Sequence, residues 1–236
     1  MRLSKGKALA GSLVLVSVAG IGAAYLVFFT PDARAPVSLT DPDDQTHASA
    51  RFPNVDAAGR WVIREGSEAG YRVKEKLARM PAASDAVGRT TGLTGGFTVS
   101  GRDGGYSISS IAVDVDMSRL TSDSPRRDET LRRRGLETER FPTASFRSPG
   151  PMDLPNNLGS GDPIEFLLDG ALTIHGVTRQ VSIPVRAQLA SETLEVVGSL
   201  RMHMADFGIE APNVANIVSV EPTGTMEFKL LLEKAA

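Results

Sequence analysis

Cysteine is absent from the 236 residues. That removes disulfide scaffolds, thiolate zinc sites, iron–sulfur clusters and cysteine nucleophiles together, though it does not identify a compartment. An excess of one charge is also lacking: 26 Lys and Arg stand against 28 Asp and Glu, a net charge of −2. With a pI of about 6.0, the chain has no basic surplus to draw it onto nucleic acid, which is not an expected partner. Histidine is scarce, with 3 in all. His47 lies near the N-terminus, and only His175 and His203 fall in the region that reads as folded. No His or carboxylate cluster has ligand spacing, so no metal site is expected. His175, beside Gly176, reads as a turn or core residue, and His203 as exposed. The Gly-x-Ser-x-Gly nucleophile elbow is missing, and Glu68, Glu75, Asp114 and Asp116 would need tertiary folding to form a carboxylate pair. The expectation from these absences is a protein that is not an enzyme, with no catalytic residue and no cofactor.

Long uncharged runs are lacking except for one, from Ala8 to Phe29, long enough to cross a bilayer core as a helix. Arg2, Lys5 and Lys7 precede it, and this positive flank should stay in the cytoplasm. Ala33-Arg34-Ala35 offers a small-residue cleavage site, but Pro36 follows it and the apolar stretch is long for a signal peptide. The expected reading is an uncleaved transmembrane signal anchor over 8–29 behind a cytoplasmic tail, 1–7. Either reading places the rest outside the cytoplasm. From Thr30 to Ala58, Pro31, Pro36, Pro42, Pro53 and several Asp residues interrupt any apolar period. This is expected to be an extended linker, 30–58, between membrane and domain. The remaining 59–236 is long enough for one domain with its own core.

In that domain the apolar residues mostly recur every second position, as in strands with one buried and one wet face. Val181 to Leu189 is the cleanest case, with Val181, Ile183, Val185, Ala187 and Leu189 alternating with polar residues and Pro184. Phe166, Leu168, Leu172 and Ile174 share a face with Gly170, read as a bend or bulge. Met226, Phe228, Leu230 and Leu232 alternate with Glu227, Lys229 and Glu233, and Tyr71, Val73 and Leu77 with Arg72, Lys74 and Lys76; the apolar face of the second set also carries Glu75. Ile111, Val113, Val115 and Met117 form another set, with Ile108 out of phase, which places a bulge near Ser109-Ser110. Further strands are expected over Leu93–Val99, Thr143–Ser148 and Leu194–Met204, making an antiparallel meander. One segment breaks the pattern: Ser124 suits an N-cap, Pro125 the first helical position, Asp128 and Glu129 the early turns, and Gly135 the stop. About eight antiparallel strands and one short helix bury their apolar faces in either a sandwich or a barrel closed on itself. Periodicity leaves that choice open.

The stretch Gly170-Ala171-Leu172-Thr173-Ile174-His175-Gly176-Val177-Thr178-Arg179, followed by an alternating strand, resembles the most characteristic segment of the YceI-like polyisoprenoid-binding family. Arg127-Asp128 opening the helix, then Leu131, then Phe141-Pro142-Thr143-Ala144-Ser145-Phe146-Arg147-Ser148 follow the order that family uses. Trp61-Val62-Ile63 with Ser67, and Asp206-Phe207-Gly208-Ile209 before the last strand, resemble its opening and close, so the likeness spans roughly Gly59 to Lys234. Gly66-Ser67 stands where many members have a His-Ser pair, so no role tied to that histidine transfers.

The resemblance implies a mainly β, lipocalin-like antiparallel barrel with a hydrophobic tunnel holding a long isoprenoid. The expected function is non-catalytic binding, storage or transport of an amphiphilic isoprenoid or other long-chain lipid at the outer face of the cytoplasmic membrane. The alternative is a cell-envelope interaction module with a solidly packed barrel. A branched hydrocarbon needs a dry, elongated, apolar cavity. Tyr71, Phe97, Phe146, Leu172, Ile183, Leu200 and Phe228 are the candidate lining, and Arg126 and Arg127 the candidate contacts for a phosphate or quinone head. Arg132, Arg133 and Arg134 make the same helix basic, a surface suited to anionic lipid heads.

Overall fold

The computed structural model describes residues 35–40, 56–77, 83–148, 150–190, 192–211, 213–214 and 218–235. The expected tail, anchor and most of the linker lie outside the described residues. No helix among the described residues is long and apolar enough to cross a membrane.

Alternation of apolar and polar residues becomes strand throughout. In chain order these are β1 (Gly59–Ile63), β2 (Glu68–Leu77), β3 (Ala83–Thr90), β4 (Leu93–Arg102), β5 (Gly105–Asp116), β6 (Thr121–Ser122), β7 (Thr143–Ser148), β8 (Met152–Leu154), β9 (Ile164–Ile174), β10 (Val177–Ala190), β11 (Thr193–His203), β12 (Asn213–Val214) and β13 (Val218–Lys234). Several short strands are halves of one stave. β1 and β2 lie end to end along the same edge of β13, pairing Ile63 with Leu232 and Glu68 with Lys229. β3 and β4 run beside them in the same way, and β5 with β6 beside those. The staves β1/β2, β3/β4, β5/β6, β7, β9, β10, β11 and β13 each pair with the next, and β13 returns to β1 and β2. The result is a closed antiparallel barrel of eight staves connected in chain order, which settles barrel against sandwich.

Where staves break, local chemistry explains it. Between β1 and β2 the chain bulges at Gly66 (φ +90°). The Ser67 hydroxyl stitches this bulge to β13, donating to Arg64 O at 2.8 Å and accepting from Leu231 N at 2.9 Å. The expected bulge in β5 is present: Ser110 takes φ +54° and the register with β4 shifts opposite Phe97, so that Ile108 and Ile111 both turn inward and are buried. The helix α1 (Pro125–Arg133) follows β6, with the Ser124 hydroxyl accepting from Arg127 N and Pro125 in the first turn, and Gly135 leaves it with φ +74°.

One expectation fails. Gly170 makes no bulge against β10, since β9 and β10 stay in unbroken register from Ile164 to Ile174. It is glycine because the Phe146 ring lies across it; a Cβ there would sit 2.4 Å from Phe146 Cζ. The same device recurs at Gly88 under Tyr71, with 2.4 Å to Cε1, and at Gly198 under Phe228, with 2.5 Å to Cζ. A missing side chain on one stave receives the ring of another, so the large aromatics lie along the wall instead of projecting to the axis.

Residues 35–40 rest on the outside of the barrel. Arg89 Nη2 donates to Ala35 O at 2.9 Å, Lys229 Nζ to Ser38 O at 3.2 Å, and Thr40 N to Glu195 Oε1 at 2.7 Å. This part of the expected linker is held against the wall, with Val197 on the outer face of β11 buried.

Gly198→Ala tests the role of the rings. The new methyl collides with Phe228 and, at 2.9 Å, with Val185 Cγ1, and overpacking of this kind costs about 1–3 kcal/mol. Urea unfolding should show that loss, and Phe228→Leu in the same chain should recover most of it.

Candidate ligand cavity

The two ends of the barrel are built differently. At the end formed by β1 and the C-terminus of β13 the interior is filled: Trp61, Leu189 and Leu232 are 2% exposed or less and lie outside the cavity lining, and Leu158 and Leu194 form the cavity floor above them. The Trp61 indole donates to Ala57 O at 2.9 Å, which satisfies its polar edge while the ring fills the end. Toward the other end, under α1, the barrel is hollow.

The cavity measures about 240 Å³. A single buried water needs only roughly 10–15 Å³, so the space accepts a chain of many methylene-sized groups. Its wall is almost wholly apolar and draws on every stave, with Val73, Phe97, Val113, Phe146, Leu172, Ile183, Val196 and Phe228 among the side chains. Leu131 and Leu136 close it from the helix side.

Of the residues expected from the sequence to line such a cavity, Tyr71, Phe97, Phe146, Leu172, Ile183 and Phe228 do so. Leu200 does not. It lies on the same face of β11 as Val196 and Met202, which line the cavity on either side of it, but packs half-buried against the core; alternation fixes a face and not which of its side chains reaches the open space. The sequence reading missed Val113, Leu131, Leu136, Met202 and Met226 as lining. All but the two helix-side leucines carried the same alternation signal.

The two candidate head-group arginines separate. Arg126 is exposed and lies outside the lining. Arg127 turns inward to the helix end of the cavity, where its Nε donates to Glu75 Oε1 at 3.1 Å, its Nη2 to Glu75 Oε2 at 3.3 Å and its Nη1 to Ser122 Oγ at 3.1 Å. Asp123 is a further close partner. Both Glu75 and Arg127 side chains are 9% exposed. The acidic residue on the apolar face of β2 is thus half of a buried ion pair with a residue 52 positions away, a partner that periodicity cannot supply. Burial alone would lower the Arg127 pKa, but the Glu75 and Asp123 bonds hold it above the ordinary value, so the group stays charged. Elsewhere on α1, Arg132 and Arg133 pair with Glu129.

Beside this pair stands Tyr71. Its ring lines the cavity, and its hydroxyl is buried with no hydrogen-bond partner among the described residues. Burial pushes the phenol well above its ordinary pKa; Arg127 opposes the shift, and Glu75, Asp128 and Asp123 reinforce it.

His175 occupies the β9–β10 turn with φ +53°, as the sequence suggested. Its Nε2 lies 2.8 Å from Glu137 Oε2, its Nδ1 3.3 Å from Phe207 O, and the Phe141 ring packs edge-on at 4.3 Å. These contacts tie together the loops at the helix end. His203 is exposed. Among the described residues, no group of three or more His, Asp or Glu could hold a metal ion.

A closed meander barrel with a solid base and an apolar lumen defines a lipocalin-like class of architecture. The YceI-like domain family model matches residues 44–232, and the chain belongs to that family. Among solved structures, a polyisoprenoid binding domain from Saccharophagus degradans, implicated in plant cell wall breakdown, is 17% identical with a TM-score of 0.54, covering 75% of this chain and 99% of that one. Burkholderia cenocepacia BcnA is 16% identical with a TM-score of 0.47, covering 69% and 95%. A Campylobacter jejuni YCEI protein is 8% identical with a TM-score of 0.41, covering 85% and 99%. At such identities the first of these speaks for the fold alone. Comparison with the curated proteins gave no match.

Removing one partner of a buried ion pair strands the other, at a cost of about 3–5 kcal/mol, whereas replacing both by apolar groups is often near neutral. Arg127→Met, which takes away the ion-pair partner of Glu75, should therefore lower stability by about 3 kcal/mol in denaturant unfolding, and Glu75→Leu with Arg127→Met should restore most of it. Tyr71 gives a pH test. A folded-state pKa above the unfolded value of about 10 makes a stabilising contribution that is complete below that pH and drains away as pH climbs beyond it. Stability measured between neutral and strongly alkaline pH should thus fall less for Tyr71→Phe than for the wild type.

Proposed function

We propose that this chain is a non-catalytic carrier or reservoir for a long isoprenoid-like lipid, held in the barrel lumen at the outer face of the cytoplasmic membrane. The observation that carries the reading is the apolar lumen of about 240 Å³ above a solid base. Its lining offers methyl, methylene and aromatic surface for a ligand of the same character. Each buried methylene of such a ligand is worth about 0.8 kcal/mol, which gives useful affinity to a molecule that has few polar contacts to make. The polyisoprenoid binding named for the Saccharophagus degradans domain supports the same ligand class. The rival, a cell-envelope interaction module with a filled barrel, draws no support from a lumen this open.

The Ala8–Phe29 run and its positive flank support the membrane location. A domain tethered there is suited to present or store a lipid beside the bilayer.

The test is extraction of the gently purified full chain in organic solvent, followed by mass spectrometry. An isoprenoid or other long-chain lipid should co-purify, and Val113→Trp, which places an indole in the lumen, should cut its occupancy several-fold while the barrel still folds. A wild type that carries no lipid and binds none of a panel of isoprenoids and quinones would end the carrier reading.

A further inference from the structure

The charged groups of the lining are not scattered along the lumen. Glu75, Arg127 and Thr130 meet it at the helix end beside Tyr71, while the opposite end is closed by Trp61 and leucines. A lipid in this space has one orientation that buries no bare polar atom against hydrocarbon: tail toward the solid base, head beneath α1.

The polar end also discriminates among heads. The Arg127 guanidinium is already bonded to Glu75 and Asp123, and Asp128 lies on the same turn, accepting from Ser122 N at 2.9 Å. Two carboxylates therefore already hold the arginine, with a third at the next helical position, and a phosphate brought here would face all three negative groups. Tyr71 differs. Its ring lines the cavity and lies over Gly88, and its hydroxyl is a neutral donor, buried and lacking an acceptor among the described residues. A buried donor without an acceptor is costly, and an oxygen at the helix end of the lumen would relieve that cost.

Resting on the carrier reading, we infer that the lumen selects lipids ending in a neutral oxygen, a hydroxyl or a carbonyl, over both bare hydrocarbons and phosphates, with the Tyr71 hydroxyl as the hydrogen-bond donor to that oxygen.

The experiment compares wild type and Tyr71→Phe in binding geranylgeraniol, the hydrocarbon of the same skeleton, geranylgeranyl phosphate and a short-tailed ubiquinone. The wild type should favour the alcohol, the quinone or both over the hydrocarbon by roughly tenfold, the worth of one well-made buried hydrogen bond. Tyr71→Phe should erase that preference and leave hydrocarbon affinity within about twofold of the wild type. Loss confined to the alcohol assigns a hydroxyl head, and loss confined to the quinone a carbonyl head. For the quinone, the carbonyl stretch of the bound ligand should lie lower in the wild type than in the variant. The ligand-free variant should melt no lower than the wild type, since it sheds an unsatisfied hydroxyl, and this separates a lost contact from a damaged barrel. Equal preference in both proteins, or tighter binding of the phosphate than of the alcohol, overturns the inference while leaving the carrier reading intact. Failure of the wild type to bind any of the four brings down both.

Discussion

Everything in this molecule depends on β13 finding partners on both edges. Its seventeen residues pair with β11 on one side and with β1 and β2 end to end on the other. Those two ladders turn an open sheet into a tube with no free edge along that stave. Backbone hydrogen bonds, each worth only about 0.5–1.5 kcal/mol net, set the circumference as a set, and the circumference sets whether an interior exists to be filled. The bulge stitched by Ser67 between β1 and β2 lets one bent stave follow the full length of β13.

Whether the interior is hollow is a separate matter, decided by where the large side chains are put. At the base, Trp61 and a set of leucines occupy the axis. Further up, Tyr71, Phe146 and Phe228 lie over Gly88, Gly170 and Gly198, so that aromatic bulk is spent on the wall and the axis stays open. The same amino-acid composition, with those glycines carrying methyl groups, would drive the rings inward. The glycines are therefore as much part of the cavity as the residues that touch it.

The helix end adds polarity to this shape. Glu75 and Arg127 neutralise one another where both are nearly removed from water. The α1 segment that supplies Arg127 also supplies Leu131 to the cavity roof. One short helix thus closes the lumen with hydrocarbon and anchors the closure with a charge pair. The His175–Glu137 and His175–Phe207 contacts fasten the neighbouring loops to the same end.

The β architecture, the limits of α1, the bulge at Ser110 and the inward face of nearly every stave were legible in the sequence, because alternation, capping residues and turn residues act over a few positions of one chain segment. The resemblance around Leu172–Arg179 and Arg127–Ser148 supplied closure and a hollow interior that period two alone left open. What only the tertiary structure decided involves residues far apart along the chain. Glu75 read as an anomaly until Arg127 stood beside it, Gly170 read as a bulge until Phe146 lay across it, and Leu200 and Phe228 carried the same signal although only Phe228 reaches the cavity. Local patterning determines which face of a strand is buried. Which inward side chains reach the cavity, cross-stave contact and the pairing of buried charges arise only when the staves close on one another in register.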